Sequence, residues 1–330
     1  MPVRGEAAGR MSANRILVLG GLGFIGANLS RRLSLDGRQV TVLTRSVSRH
    51  RDVAAGLSAL GVRVLEGELA DASATAAAVE GQDAIINLAG ESGAVRSMEA
   101  PLADLDGNCR ANLVLLESMR ARSPKARLVF VGSRLQYGKP ERIPVSEDDP
   151  RVALCVHAIH KNTIEEYLRV YAQLFGLRYT VARVTNPYGP GQPAGRLAYG
   201  VVNRLIHLAL SDQALPIYGD GLQQRDYVYV DDVVGALIQL ADAGQAEGRA
   251  YNVASGRGTP LIGMARAIIS AAGGGRLSFV PWPPLAEQIE TGDFVADVSR
   301  IEREIGWRPS TSLADGLDRT VAFHRSQQPS

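Results

Sequence analysis

The chain has 330 residues, of which 45% are hydrophobic and 21% charged, and its formal net charge at pH 7 is +2. Such a small charge predicts neither nucleic acid nor an acidic membrane as a partner. No apolar run approaches the roughly 20 residues that a membrane-spanning helix needs. Cys109 and Cys155, the two cysteines, form no disulfide framework, which favours a reducing cytoplasm.

Residues 1–13 are charged and lack the apolar core of a secretory signal, so we expect a disordered leader. Six short apolar runs that follow predict β-strands, at 15–21, 39–45, 62–67, 83–90, 126–133 and 177–184. Their nearly continuous hydrophobicity is typical of strands covered on both faces. Helical periodicity appears between them, for example at 108–123 and 161–176. The alternation predicts an α/β fold with a Rossmann-type, doubly wound parallel sheet.

A glycine-rich turn joins the first strand to the first helix. The stretch "LVLGGLGFIGANLSRRL" places Gly20, Gly23 and Gly26 there, and Phe24 and Ile25 open the helix. Glycines let the backbone approach a pyrophosphate, which binds the free N–H groups of a helix N-terminus. Because the turn follows a strand and begins a βαβ series, it predicts dinucleotide binding.

The end of the second strand discriminates between NAD and NADP. An acidic residue there would bond the ribose 2′-OH of NAD, whereas a basic residue accommodates the 2′-phosphate of NADP. This chain has Thr44 and Arg45 and no carboxylate, which favours NADP without excluding NAD. A solvated loop role for Arg45 is the alternative.

Further cofactor contacts are expected where the third and fourth strands end. Glu68 and Leu69 follow the third strand, and Glu68 is placed to accept a hydrogen bond from the adenine amine. Leu88, Ala89 and Gly90 follow the fourth strand, near the expected nicotinamide ribose.

The pattern loosens after residue 186 into pieces interrupted by glycine and proline, and 281–293 reads as a loop. We predict an NAD(P)-binding domain from 14–185 plus about 226–258. A smaller C-terminal lobe, from 186–225 and 259–330, is expected to cover a ligand at the carboxyl ends of the strands.

Several ordered blocks resemble the extended short-chain dehydrogenase/reductases, the nucleotide-sugar epimerase/dehydratase family. The resemblance covers about residues 14–325 and begins with "GGLGFIG" and "FVGSRLQYG". Later blocks are "RVTNPYGPGQ", "IYGDGLQQRDYVYVDDVVGAL", "YNVASGRGTPL" and "VADVSRIEREIGWRPSTSLADGL". It implies a nicotinamide cofactor and a nucleotide-sugar substrate.

The resemblance also implies roles for matching positions. Ser133 corresponds to the Ser/Thr that hydrogen-bonds the reacting sugar hydroxyl, and Lys161 to the lysine that bonds the nicotinamide ribose. Four residues before that lysine the family has a tyrosine that transfers the proton, whereas this chain has His157.

Other matching positions surround the expected substrate. Asn108 matches an asparagine that supports the site and the cofactor from the helix after the fourth strand. Asn186 and Arg225 match residues at or near the nucleotide diphosphate, although Asn186 precedes a proline and shaping a turn is its alternative role. Ser92 is predicted to bind substrate with them.

His157 changes the expected chemistry. An imidazole has a reference pKa near 6.5, and Lys161 with an oxidised nicotinamide would lower it, so His157 can act as a base without phenolate chemistry. It would be a weaker proton donor in the reverse step. The alternatives are that the usual redox activity is lost or that another group, such as Tyr137, transfers the proton; Tyr137 is more plausibly structural.

A metal site is not predicted. His157 and His160 lie three residues apart, but no third ligand follows at a suitable spacing and no HExxH motif occurs. His160 is therefore interpreted as a spacer on the helix.

Late in the chain, no Lys or Arg lies between Arg276 and Arg300, where the family has a basic residue that pairs with the earlier arginine on the diphosphate. Either Arg225 holds the diphosphate alone or the substrate carries less negative charge than a nucleotide sugar.

Among family activities, the later blocks favour an NDP-hexose 4-epimerase. Arg134 follows Ser133 where 4,6-dehydratases have an acidic pair. Thr44 and Arg45 favour an alternative, an NADPH-dependent NDP-4-ketohexose reductase. An NAD(P)-binding sensor or scaffold without turnover is an alternative of another class, and the intact Ser133 and Lys161 argue against it.

Helices 108–123 and 157–176 resemble those through which family members dimerise, so we expect a homodimer. The alternative is that Leu113, Leu116, Tyr167 and Tyr171 only face the sheet.

Overall fold

The computed structural model describes residues 13–91, 93–192 and 200–327, so most of the predicted leader and Ser92 lie outside the described residues. The strands are β1 Arg15–Leu19, β2 Gln39–Thr44, β3 Arg63–Glu66, β4 Ala84–Asn87, β5 Arg127–Ser133, β6 Arg178–Val184, β7 Asn186–Tyr188, β8 Ala214–Tyr218, β9 Gln224–Tyr229, β10 Arg249–Val253, β11 Gly258–Pro260 and β12 Arg276–Val280. The α-helices are α1 Phe24–Leu35, α2 Arg51–Ala59, α3 Ala72–Val79, α4 Ala94–Glu99, α5 Pro101–Leu105, α6 Ala111–Arg122, α7 Val156–Phe175, α8 Val201–Leu210, α9 Val230–Asp242, α10 Leu261–Ala272, α11 Pro284–Gln288, α12 Ser299–Ile305 and α13 Leu313–Ser326.

Seven parallel strands form the main sheet, in the order β10-β6-β5-β4-β1-β2-β3. The six predicted strands all belong to it, and β10 adds a seventh. β1 lies between β2 and β4, so successive connections run in opposite directions from it and leave a crevice at the carboxyl ends. The predicted Rossmann-type fold is confirmed.

Helices cover both faces of the sheet. Successive side chains of a strand point to opposite faces, so alternate residues pack in two different hydrophobic cores. Ile16 and Val18 of β1 pack in one core with residues of α1, α2 and α9. Leu17 and Leu19 pack in the other with residues of α3, α6 and α7. This two-sided burial explains why the strands are nearly continuous apolar runs.

The later elements build a third core beside the sheet. β11-β9-β7 form a small sheet and β8 pairs with β12 in parallel. Buried residues of α8, α10 and α13 pack with them, including Ile206, Met264 and Val321. β9 crosses the predicted lobe boundary near residue 225, and the division into two lobes stays a prediction.

The helix predicted at 157–176 spans Val156–Phe175, which places His157 in its first turn. One local expectation needs correction. The predicted loop at 281–293 contains α11, whose first residue is Pro284, a residue whose fixed φ suits a helix start. Within the described ranges, no helix is long and apolar enough to cross a membrane.

Candidate active site

A cavity of about 560 Å³ opens where the strands of the main sheet end. Residues that follow or end β4, β5 and β6 form one wall, and residues of α8, β8 and β9 contribute to the other. The lining includes these predicted site residues: Ile25, Leu88, Ala89, Gly90, Ser133, His157, Lys161, Asn186 and Arg225.

The glycine turn before α1 has the geometry of a phosphate cradle. Gly20 has a φ of +75°, which glycine adopts readily, and a Cβ at Gly26 would collide with the Gly20 carbonyl oxygen. Gly23 is the N-cap of the twelve-residue α1, and a Cβ there would find only the Gly20 oxygen, at 3.3 Å, among described atoms within 4 Å. The turn thus leaves open space beside free helical N–H groups, which fits a pyrophosphate. Phe24, also predicted, is the first residue of α1.

The predicted adenosine-side residues follow β2 and β3, farther along the same edge of the sheet. Thr44 ends β2, and the exposed Arg45 donates from Nη1 to Glu91 Oε1 at 2.7 Å. Glu68 is exposed and Leu69 is buried. The Arg45 guanidinium therefore already has one anionic partner, in the loop after β4.

Asn108 supports the loop after β4 from a π-helical turn, Asp106–Arg110. Its Nδ2 donates to the Glu91 carbonyl oxygen at 3.1 Å and to Asp104 Oδ1 at 3.0 Å. A Cβ at Gly90, whose φ is +139°, would collide with Asn108 Oδ1. The Asn108 amide therefore helps to hold the loop that contributes Gly90 and Glu91 to the cavity, together with the ion pairs of Glu91 with Arg45 and Arg96.

Ser133 is the last residue of β5 and the N-cap of a short 3₁₀ turn, Arg134–Tyr137. Its Oγ accepts a hydrogen bond from Leu135 N at 3.2 Å, and Gln136 Oε1 accepts one from Ser133 N at 2.8 Å. This capping box holds the serine while its hydroxyl proton stays available to a ligand.

α7 contributes His157 and Lys161, one turn apart. Lys161 Nζ donates to the Val131 carbonyl oxygen at 3.0 Å and lies 4.7 Å from the centre of the Phe130 ring. Burial lowers the pKa of Lys161 to about 8. The His157 backbone N–H donates to Ser97 Oγ at 3.0 Å, which ties the start of α7 to α4.

The buried carboxylate of Asp104 lies beside both histidines. His160 Nδ1 is 2.6 Å from Asp104 Oδ1, and His157 Nδ1 is 3.6 Å from Oδ2, just beyond hydrogen-bond distance. His160, interpreted from the sequence as a spacer, therefore has a buried anionic partner. Burial alone would raise the pKa of Asp104, but the nearby His157, His160 and Asn108 lower it overall.

The pKa of His157 is lowered, chiefly by burial and further by Lys161, while Asp104 opposes the shift. An imidazole with a lowered pKa is neutral at pH 7 and able to accept a proton.

Arg134 adds a guanidinium to the cavity wall, which Lys161, Arg204 and Arg225 also line. Its Nε donates to Asn186 Oδ1 at 3.1 Å and its Nη1 to Thr291 Oγ1 at 2.7 Å. Burial and the nearby Arg225 lower its pKa to about 10. Arg225 Nη1 donates to the Gly292 carbonyl oxygen at 2.7 Å, and its Nη2 bonds Glu290.

Arg225 therefore shares the cavity wall with a second guanidinium, and a role of either residue in diphosphate binding stays a prediction. Arg134 comes from the turn after β5 and not from the segment 277–299, which has no Lys or Arg. Glu290 from that later segment instead forms an ion pair with Arg225.

Tyr137 does not line the cavity. It is 1% exposed, donates to Asn252 Oδ1 at 2.7 Å and accepts from Arg183 Nη1 at 2.9 Å. Burial raises its pKa to about 12. Its structural role is confirmed. In the described part of the chain, no group of three or more His, Cys, Asp or Glu residues is arranged to hold a metal ion.

Comparison with known proteins matches residues 16–254 to the model of the NAD dependent epimerase/dehydratase family. The chain is 31% identical over 319 residues to the UDP-glucose 4-epimerase of Mycolicibacterium smegmatis, covering 95% of this chain and 99% of that protein. The NAD complex of Thermus thermophilus UDP-glucose 4-epimerase superposes with a TM-score of 0.86 at 29% identity, covering 95% and 100% of the two chains. UDP-N-acetylglucosamine 4-epimerase of Methanobrevibacter ruminantium, in complex with UDP-N-acetylmuramic acid, gives 0.88 at 25% identity, covering 96% and 100%.

Proposed function

The chain belongs to the NAD dependent epimerase/dehydratase family, and on that premise we propose that it is a nucleotide-sugar 4-epimerase that works with a nicotinamide cofactor. The observation that carries the proposal is that Ser133, His157 and Lys161 line one cavity, together with the half-buried Arg134 and the buried Arg225. Two of the similar solved structures are 4-epimerases, and Arg134 follows Ser133 where 4,6-dehydratases have an acidic pair; both points support this reaction.

The cofactor's parts correspond to separate groups of residues. The turn of Gly20, Gly23 and Gly26 would hold the pyrophosphate, and Lys161 would bond the nicotinamide ribose. Asn108 would keep the loop after β4 against that ribose. When bound, the nicotinamide accepts a hydride from the sugar carbon and later returns it.

Ser133 and His157 perform the accompanying proton transfer. Ser133 Oγ–H donates to the reacting hydroxyl oxygen and orients it. His157 takes the hydroxyl proton as the carbon loses its hydrogen with the bonding electron pair, so that the C–O single bond becomes C=O. In the reverse direction His157 would return this proton to the carbonyl oxygen as the carbon regains hydrogen on its opposite face, which would invert the centre and leave the imidazole neutral again.

Arg134 and Arg225 are proposed to bind the substrate diphosphate. Arg225 forms an ion pair with Glu290, and the carboxylates of Glu290 and Asp226 lie near Arg134. In the described part of the chain, however, the side-chain hydrogen bonds of Arg134 go to neutral partners, Asn186 and Thr291. A guanidinium whose hydrogen bonds include no carboxylate is suited to bind an anionic ligand.

The proposal is tested by incubating the purified protein with UDP-glucose, UDP-galactose, UDP-N-acetylglucosamine and dTDP-glucose. NMR of the products is expected to reveal inversion at C4 without net consumption of cofactor. Absence of inversion with this set and with the corresponding uronic acids would contradict the epimerase.

A reductase is the second candidate, favoured by Arg45 at the end of β2, where a 2′-phosphate would bind. It predicts stoichiometric NADPH oxidation when an NDP-4-ketohexose is supplied. Cofactor binding without either reaction would favour a sensor or scaffold.

We also propose a homodimer. α4, α5 and α7 contact one another and carry exposed apolar side chains, among them Met98, Leu102 and Ile159. Leu116 is fully buried, whereas Tyr167 and Tyr171 are partly buried against the core. The proposed contact surface therefore rests on the exposed apolar side chains.

A further inference from the structure

Asp104 has an unusual environment for a carboxylate. It is the fourth residue of α5 and is 3% exposed. Three side-chain nitrogens surround it, from His160 at 2.6 Å, Asn108 at 3.0 Å and His157 at 3.6 Å. The first two contacts satisfy the Oδ1 atom, and His157 is the group beside Oδ2.

His157 has no competing partner at Nδ1. This atom is buried and has no hydrogen-bond partner among the described residues. The nearest anionic atom is Asp104 Oδ2. A carboxylate accepts hydrogen bonds and donates none, so it favours the imidazole tautomer that carries the proton on Nδ1. That tautomer leaves a lone pair on Nε2.

We infer that Asp104 is the positioning residue of the His157 base, holding the Nδ1–H tautomer so that Nε2 accepts the substrate proton. The effect of Asp104 on catalysis rests on the proposed epimerase function. Carboxylates orient catalytic imidazoles and stabilise the imidazolium in this way in unrelated enzymes.

The charges around His157 explain why an imidazole at this position needs a neighbouring carboxylate. His160 and Lys161 approach it from its own helix and Asp104 from α5. The thiols of Cys109 and Cys155 lie near the same carboxylate, and burial raises the pKa of each, so they stay neutral. Asp104 is thus the one anion that offsets the proton gained by His157 within the described surroundings.

The tautomer is measured directly by ¹⁵N NMR of histidine-labelled protein, with His157→Gln to assign the signals. We expect the wild-type His157 ring to carry its proton on Nδ1 at neutral pH. In Asp104→Asn the amide can donate to Nδ1, which would move the proton to Nε2. A wild-type ring protonated on Nε2 overturns the inference whether or not the enzyme turns over.

Kinetics distinguish positioning from a purely structural role. Asp104→Asn is expected to lower kcat by about 10²- to 10⁴-fold, with KM nearly unchanged. The acid limb of its pH profile should shift to lower pH, because the carboxylate that raises the His157 pKa is lost. Asp106→Asn, the same charge change at an exposed position, is the matched control.

If Asp104→Asn lowers thermal stability but leaves kcat and the acid limb of the pH profile unchanged, the positioning role of Asp104 is overturned. If wild type has no turnover on any nucleotide sugar, the proposed function fails, while the NMR result still decides the tautomer.

Discussion

His157 and Lys161 lie one helical turn apart on α7, and both side chains line the same cavity. The helix repeat brings residues four apart to one face, so the base and the cation approach a ligand from the same side. Because the cation also lowers the pKa of the imidazole, the two residues are electrostatically coupled as well as adjacent.

Replacing His157 with phenylalanine should abolish sugar interconversion, by about 10²- to 10⁴-fold or more, because the ring keeps its volume but loses both nitrogens. Cofactor affinity, measured by fluorescence titration, should stay close to wild type. Full activity in His157→Phe would remove His157 from the mechanism. His157→Tyr serves as the companion variant, and a gain of activity there would indicate an attenuated native site.

The rate should have a bell-shaped dependence on pH. His157 must be neutral to act as a base, and burial lowers its pKa, so the acid limb of kcat/KM should have its midpoint below the ordinary histidine pKa of about 6.5. Lys161 must be charged, and its pKa is lowered to about 8, so activity should decline above that value. Initial rates across this range test both limbs; a flat profile from neutral pH to about 10 would contradict the role of Lys161.

Arg134→Met should weaken substrate binding. A charge-assisted hydrogen bond contributes about 1.5–3 kcal/mol, so we expect KM to rise roughly 10- to 100-fold with a smaller change in kcat. Arg142→Met, at an exposed arginine in the following loop, controls for the loss of charge. An unchanged KM for the nucleotide sugar, in a variant with wild-type thermal stability, would exclude Arg134 from diphosphate binding.

Arg45→Asp should shift the cofactor selectivity towards NAD. The aspartate would repel the 2′-phosphate and accept a bond from the ribose 2′-OH of NAD, so the ratio of the two affinities should change by roughly 10- to 100-fold. Isothermal titration with both cofactors measures it. Arg122→Asp makes the same charge change at the exposed end of α6. If the ratio of NADP to NAD affinity is the same in both variants, Arg45 does not contact the cofactor and serves only in its ion pair with Glu91.

Ile159→Glu should dissociate the proposed dimer. Ile159 is 51% exposed on α7, and burying a carboxylate against an apolar partner surface is costly. Light scattering after gel filtration should give the mass of one chain for this variant. Leu222→Glu, at a 61% exposed position between β8 and β9, should keep the wild-type mass. A monomeric wild type would refute the dimer.

The sequence by itself determined the sheet, the glycine turn and the pairing of His157 with Lys161. Each depends on short-range information: apolar runs for β1 to β6, glycine spacing around Gly23, and a separation of four residues within α7. The resemblance then indicated which chemistry to expect at Ser133, His157 and Lys161.

Only the tertiary structure decided which distant groups surround those residues. Asp104 and His160 are 56 residues apart, and packing of α5 against α7 brings them together. Arg134 and Thr291, separated by 157 residues, meet across the cavity wall. No local pattern encodes these contacts, because they depend on how helices and loops pack after the strands have formed. The second guanidinium beside Arg225 and the carboxylate beside His157 therefore became known only from the tertiary structure.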